Sequence, residues 1–372
     1  MGRVVVFIAC FALTLELATR LDQKITFGAP LWGKYTYASA LYTEDEFGIL
    51  GKPNAVFEKW QLNSFGFRGP EIALAKAPGS MRIACFGASE TFGLYEKPDN
   101  DWPRQLEREL RRQATNVEVM NVALAGMSLS QRVNHFQHRV VAFHPDLAIL
   151  MLEFPSYAGM TSEKLAARND VQANRAKHDE NAFTQYLTSW RFVTKLKNAM
   201  IPKLPEIVQD SYRAAEVQVK LVAAERALGS KFRSFRQVMP LEVETFQADI
   251  QRFHDMAMQN GVTLLLVSPA YSINEETLRL FYTSWPYIDE TWLREAQRIF
   301  TESAKRFAEE RHIPFVDFLS IVSGREAQFM RDEVHFSDDG AEAVGKVIAR
   351  EVLKIIEQRN EGSRSSLGWR LE

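Results

Sequence analysis

Residues 81–96 read MRIACFGASETFGLYE, and this stretch decides the fold. A short apolar run, 82–86, is followed by Gly87-Ala88-Ser89 and then by a turn or helix start. A strand that ends in a glycine turn and passes into a helix places the turn at the carboxyl end of a sheet. Open α/β sheets bind their ligands there. Ser89 is thereby exposed at a position suited to chemistry.

Outward from this stretch, four more apolar runs read as buried strands: 117–122, 147–152, 262–267 and 314–318. They lack the polar alternation of a half-exposed strand, as expected for a sheet covered on both faces. Helical patterns over 102–112, 129–142, 241–260 and 291–311 separate them. Asn260-Gly261 and His312-Ile313-Pro314 are helix stops, because glycine takes the left-handed cap position and proline cannot continue a helix. Strand alternating with helix predicts an α/β domain, a three-layer α/β/α flavodoxin-like sandwich with a parallel sheet of about five strands. The connection of about 156–240 is too long for a loop and mostly helical in pattern, so it reads as a helical insertion.

The expected organisation is an N-terminal membrane segment at 1–21, an extension at 22–80, the α/β domain at 81–358 and a polar tail at 359–372. Arg3 precedes an apolar run from Val4 to about Ala18 that contains Glu16. Roughly 15 residues is short for a bilayer span of about 20, so a cleaved signal competes with a retained anchor. The missing small-residue cleavage site favours the anchor. A lipoprotein site at Cys10 and a buried helix of a soluble protein are the other readings.

Of the 372 residues 25% are charged, and the net charge is −2. Lysines and arginines are interspersed with acids, which gives no basic field to hold a phosphate backbone, and nucleic acid is not expected as a partner. The two cysteines, Cys10 and Cys85, are too differently placed for a disulfide or a metal knuckle. His135, His138 and His144 lie close in sequence, but no cysteine or acid completes a metal site. No metal and no cofactor is expected.

A serine hydroxyl needs a base within hydrogen-bond reach before it is a useful nucleophile. Among the seven histidines, His335 has the best context. It lies in Arg331-Asp332-Glu333-Val334-His335-Phe336-Ser337, ahead of a long C-terminal helical pattern. With Asp332 three residues earlier, one turn can aim the imidazole at a serine and put the carboxylate behind its other nitrogen, which fixes the tautomer. The bland alternative is that Asp332 and Ser337 or Asp338 shape a helix start and His335 is a surface residue.

Together, the two motifs resemble the SGNH/GDSL hydrolase family, which carries a nucleophilic serine in a Gly-Asp-Ser block after the first strand and an Asp-x-x-His block near the C-terminus. Gly87-Ala88-Ser89-Glu90-Thr91 is similar to the first, with Ala88 in place of Asp, and Asp332-Glu333-Val334-His335 to the second. The resemblance implies Ser89, Asp332 and His335 as catalytic residues. The stretch 121–128 (NVALAGMS) resembles the family's second block, whose glycine backbone N–H helps form the oxyanion hole. Gly126 takes that place, beside the backbone N–H of Ser89. The family's third block supplies an Asn donor after the third strand. Here Glu153-Phe154-Pro155-Ser156-Tyr157 follows instead. Loss of such a donor costs about 3 kcal/mol of transition-state stabilisation unless another replaces it, and Ser156 or Tyr157 are the candidates.

Asn63-Ser64-Phe65-Gly66-Phe67-Arg68-Gly69 resembles the lead-in of envelope-associated bacterial members. With the N-terminal segment, this implies a protein anchored at the inner membrane with its catalytic domain outside the cytoplasm. The activity implied is hydrolysis of an acyl or acetyl ester on a small molecule, lipid or glycan. Two alternatives are an O-acyltransferase acting on a surface or exported polysaccharide, and a non-catalytic binding or assembly protein that retains the fold. The aromatic stretches 183–192 and 281–292 read first as core and second as lining for an acyl or sugar site.

Overall fold

The computed structural model describes residues 2–32, 35–113, 116–152, 164, 167, 169, 190–269 and 271–368. At its centre lie β5 (Met81–Phe86), β6 (Val117–Asn121), β7 (Leu147–Met151), β8 (Thr263–Val267) and β9 (Phe315–Val316). They form one parallel sheet in the order β6-β5-β7-β8-β9. In chain order this is second, first, third, fourth, fifth, the flavodoxin-like arrangement, with its switch point between β5 and β7.

Alternate side chains explain the two cores. Ile83 and Cys85 of β5, with Leu147, Ile149 and Met151 of β7, face α4 (Trp102–Arg112) and α13 (Asp338–Gly368). Ala84, Phe86, Ala148 and Leu150 point the other way, onto α5 (Leu129–His135), α8 (Pro240–Gln259) and α10 (Glu290–Glu310). The period of two along each strand thus builds a helix layer on either side, and both layers bury apolar surface. Gly345 lets α13 sit close on α4, since a Cβ there would lie 2.6 Å from the Cβ of Gln105.

Two expected elements differ in extent. The run 314–318 is strand only at Phe315–Val316, because Asp317 caps α11 (Phe318–Val322) by accepting from the Ser320 N–H. The helical pattern 129–142 is α-helical only to His135 and continues as a wide π turn, Phe136–Val140, and a 3-10 turn, Val141–Phe143. In addition, α13 runs past residue 358 to Gly368.

The extension carries two antiparallel hairpins, β1 (Tyr42–Asp45) with β2 (Gly48–Gly51), and β3 (Val56–Phe57) with β4 (Trp60–Gln61). Leu41, Tyr42, Trp60 and Leu62 pack against Phe92 and the segment Ala123–Met127 in a third core cluster. Arg82, fully buried, ties extension to sheet: it donates to the carbonyls of Ala73 (2.9 Å), Leu74 (3.0 Å) and Phe143 (2.7 Å) and pairs with Glu118 at 2.8 Å.

The N-terminal helix α1 (Gly2–Phe27) has 26 residues, longer than its apolar run suggests, and is long and apolar enough to cross a membrane. Glu16 is not left unpaired on it. Arg20 donates to Glu16 at 2.5 Å, and so does the backbone N–H of Phe192 at 3.0 Å, at the start of α6 (Arg191–Met200).

Candidate active site

The turn after β5 sets Ser89 at the first position of α3 (Ser89–Phe92). Gly87 is required there, because a Cβ would lie 1.9 Å from Thr91 Oγ1. Glu90 folds back to accept from the Ala88 N–H at 2.8 Å and steadies the turn.

His335 arrives on a tight loop between α12 (Glu326–Phe329) and α13. The loop is closed by the Arg331 N–H to the His335 carbonyl (2.8 Å) and the Ser337 N–H to the Phe329 carbonyl (2.8 Å). Within it Asp332 Oδ1 accepts from the backbone N–H groups of Val334 (3.0 Å) and His335 (2.8 Å). That Asx-type turn makes the three-residue spacing productive. The same carboxylate reaches His335 Nδ1, at 2.9 Å from Oδ1 and 2.8 Å from Oδ2. On the far side of the ring, Nε2 lies 2.7 Å from Ser89 Oγ. The structure therefore brings Ser89, His335 and Asp332 into one hydrogen-bonded chain, from residues 246 apart.

Burial acts against charge at both acidic and basic members of this chain. It pulls the His335 imidazole down, but the hydrogen bond and charge of Asp332 outweigh it and leave the pKa above the usual histidine value. It pushes Asp332 up, yet the hydrogen bond and charge of His335, with the two backbone N–H groups, hold the carboxyl below its ordinary value. Burial and the neighbouring Asp332 push Glu333 up to about 7.

Gly126 has φ +86°, a left-handed conformation in which side chains are strained, and it lines the same cleft as Ser89. Its loop is held by Tyr42, whose hydroxyl accepts from the Ala125 N–H at 3.2 Å. Asn121, fully buried, links loop and serine turn: its Nδ2 donates to the Thr91 carbonyl (2.9 Å) and Asp101 Oδ1 (3.0 Å), and its Oδ1 accepts from the Ala123 N–H (3.2 Å). Arg68, from the extension, donates to the carbonyls of Phe92 and Gly93 at the other end of α3 and pairs with Asp101 at 3.5 Å.

Between these parts opens a cleft of about 310 Å³. Leu94, Leu152, Pro269, Phe281, Trp285 and Phe336 give it a mainly apolar wall. Residues 153–157, and with them Tyr157 and Ser156, lie outside the described residues. Of the aromatic stretch 281–292, Phe281 and Trp285 face the cleft, whereas Tyr287, Ile288 and Trp292 are in the core, and residues 183–189 of the other stretch lie outside the described residues. His135 is buried with Nδ1 3.2 Å from Arg139, and the His138 ring stacks on Phe47 at 3.8 Å. Among the described residues, no group of three or more His, Cys, Asp and Glu side chains is placed to hold a metal.

Residues 83–348 match the family model of the GDSL-like lipase/acylhydrolases. The chain belongs to this family. No curated protein matches it. Among solved structures, this GDSL-like acylhydrolase is similar to a GDSL-like lipase from Bacteroides thetaiotaomicron, at 14% identity over 74% of this chain and 88% of that one, with a TM-score of 0.38. It is also similar to a lipase/acylhydrolase from Enterococcus faecalis, at 14% identity, 73% and 95% coverage and a TM-score of 0.40. A catalytic mutant of an acetylxylan esterase from Geobacillus stearothermophilus is similar at 13% identity, 73% and 94% coverage and 0.40.

Sequence reasoning on this GDSL-like acylhydrolase missed the supports of the site. Tyr42 acts on it from the extension, and Tyr95 sets its ring edge-on to His335 at 5.1 Å, whereas Arg68, legible in the stretch 63–69 as a salt-bridge partner, pairs with Asp101. No local pattern signals such contacts, because each joins residues far apart in the chain.

Proposed function

We propose that the protein is a serine-dependent carboxylic ester hydrolase whose nucleophile is Ser89. The observation that carries this reading is the hydrogen-bonded chain from Ser89 Oγ through His335 to Asp332. Ser89 attacks the ester carbonyl while His335 Nε2 takes its proton, and Asp332 keeps the Nδ1 proton in place and balances the imidazolium that forms. The backbone N–H groups of Ser89 and Gly126 hold the oxyanion. Collapse expels the alcohol, to which His335 returns the proton, and leaves an acyl-enzyme. Water, activated by His335 in the same way, then releases the acid.

The apolar wall of the cleft suits the acyl group, since burying its methylene groups is favourable by about 0.8 kcal/mol each. Helix α1 acts as a signal anchor that holds the catalytic unit at the outer face of a bacterial inner membrane. Its length, its run of exposed apolar residues from Val4 to Phe11 and the paired state of Glu16 support this placement.

The test offers 4-nitrophenyl esters of acetate, butyrate and octanoate to the purified full chain, with and without an oligosaccharide acceptor. Hydrolysis that dominates over transfer is expected. Transfer product in excess of hydrolysis would assign acyl transfer instead. No turnover of any ester would leave a non-catalytic member of the family.

A further inference from the structure

We propose that the alcohol half of the ester is a saccharide, held in the groove that continues from the catalytic cleft between α7 (Glu206–Leu228) and α9 (Glu275–Ser284). The inference rests on Ser89 being the esterase nucleophile and adds the substrate class and the residues that select it.

The groove measures about 1010 Å³ against about 310 Å³ for the cleft. One wall is a face of α7 on which Arg213, Val217 and Lys220 recur at helical spacing. The facing wall is α9, with Glu276, Arg279 and Thr283. Arg331, Asp332 and Glu333 of the histidine loop close the end next to the catalytic chain. Ser284 and Glu333 line cleft and groove alike, so a molecule bonded at Ser89 can extend from one into the other.

The two spaces differ in chemistry, and the difference orients the ester. An acyl chain laid in the groove would desolvate charged groups of both signs without pairing them, so it belongs in the apolar cleft. The alcohol is left to the groove. There both signs are present: Arg213 and Lys220 stand on α7, Arg279 donates to the neutral Gln218 amide at 3.1 Å, and Glu276 stands one turn from Arg279. An alcohol with a fixed phosphate would be set against Asp332 at the mouth and against Glu275 and Glu276 on α9. One with a fixed ammonium would be set against Arg279 and Arg331. A neutral, hydroxyl-rich alcohol uses both signs, because each hydroxyl donates to a carboxylate and accepts from a guanidinium, and the planar guanidinium spans two neighbouring hydroxyls. Tyr95, 51% exposed where groove meets catalytic loop, adds a flat ring for the apolar face of a sugar.

The experiment compares esters that share the acetyl group, using the full chain. They are ethyl acetate, partially acetylated xylo-, manno- and chito-oligosaccharides, and acetylated glycerophosphoethanolamine. At least one saccharide is expected to exceed both other esters by tenfold or more in kcat/KM. In Arg279→Gln and in Glu276→Gln, the ratio of saccharide to ethyl ester kcat/KM is expected to fall about tenfold, through KM. Both esters are read in one preparation, so partial misfolding cancels in the ratio. A ratio within twofold of wild type in both variants, or preference for the glycerophospholipid ester, overturns the proposal. Ser89-dependent turnover of ethyl acetate in that case leaves the esterase reading standing; turnover of no ester removes both.

Discussion

Replacing Asp332 by Asn changes almost nothing in shape and nearly everything in proton placement. The Asn Oδ1 still accepts from the backbone N–H groups of Val334 and His335, now 3.0 and 2.8 Å away, so the loop keeps its turn. Its amide nitrogen, however, is a donor facing His335 Nδ1, which must then become an acceptor. The imidazole proton moves to Nε2, against Ser89 Oγ at 2.7 Å, and the base is lost. The charge balance is lost as well. A carboxylate about 4 Å from the centre of an imidazolium contributes about 4 kcal/mol at an effective dielectric near 20, or about a thousandfold in rate. With the inverted tautomer added, kcat should drop by about 10³ to 10⁴ while KM changes little. The pH profile carries a second signature. In wild type the rate rises as His335 loses its proton, at a pH above the usual imidazole value because Asp332 favours the charged ring. Without that charge the remaining effect of burial favours the neutral ring, so the acid limb of kcat/KM moves to lower pH. The assay is stopped-flow hydrolysis of 4-nitrophenyl acetate from pH 4.5 to 9. A loss in kcat below tenfold, or an acid limb that stays in place, refutes the role given to Asp332.

Two further perturbations probe the frame around the site. Asn121→Ala removes three buried hydrogen bonds at about 1 kcal/mol each, so urea unfolding should show roughly 3 kcal/mol of lost stability, with lower kcat as the serine turn and Gly126 loop lose their tie; a loss under 1 kcal/mol would contradict it. The full chain should stay with the membrane through alkaline carbonate washing and leave it only in detergent, whereas deletion of residues 2–18 should move it to the soluble fraction; release by carbonate would contradict the anchor.

Much of the fold is legible along the chain, because a strand buried on both faces must be apolar throughout. The runs 83–86 and 147–152 show this, and Arg82 ahead of the first is the exception, its charge met by Glu118 and three backbone carbonyls. Boundaries are less legible where a single polar contact decides them. Asp317 ends β9 after two residues by capping α11, although 314–318 reads as one strand. The π turn at Phe136–Val140 adds a residue per turn that apolar spacing does not register. Helix α1 extends to Phe27 because Leu21 to Ile25 remain compatible with helix after the apolar run ends, and the length of an apolar run does not set the length of a helix. At the site, residue types and spacing suggest the pairing of Asp332 with His335, since both lie in one turn. The approach of His335 to Ser89 is set by the sheet, and the supports from Tyr42 and Arg68 are set by how the extension folds over α3.

The most direct measurement of the central claim is intact-mass and peptide analysis after treatment with a fluorophosphonate, which phosphonylates an activated serine. Wild type should gain one adduct, carried by the peptide containing Ser89, and Ser89→Ala should gain none while keeping its circular dichroism spectrum. An unlabelled wild type, or a Ser89→Ala variant labelled to the same extent, would contradict it.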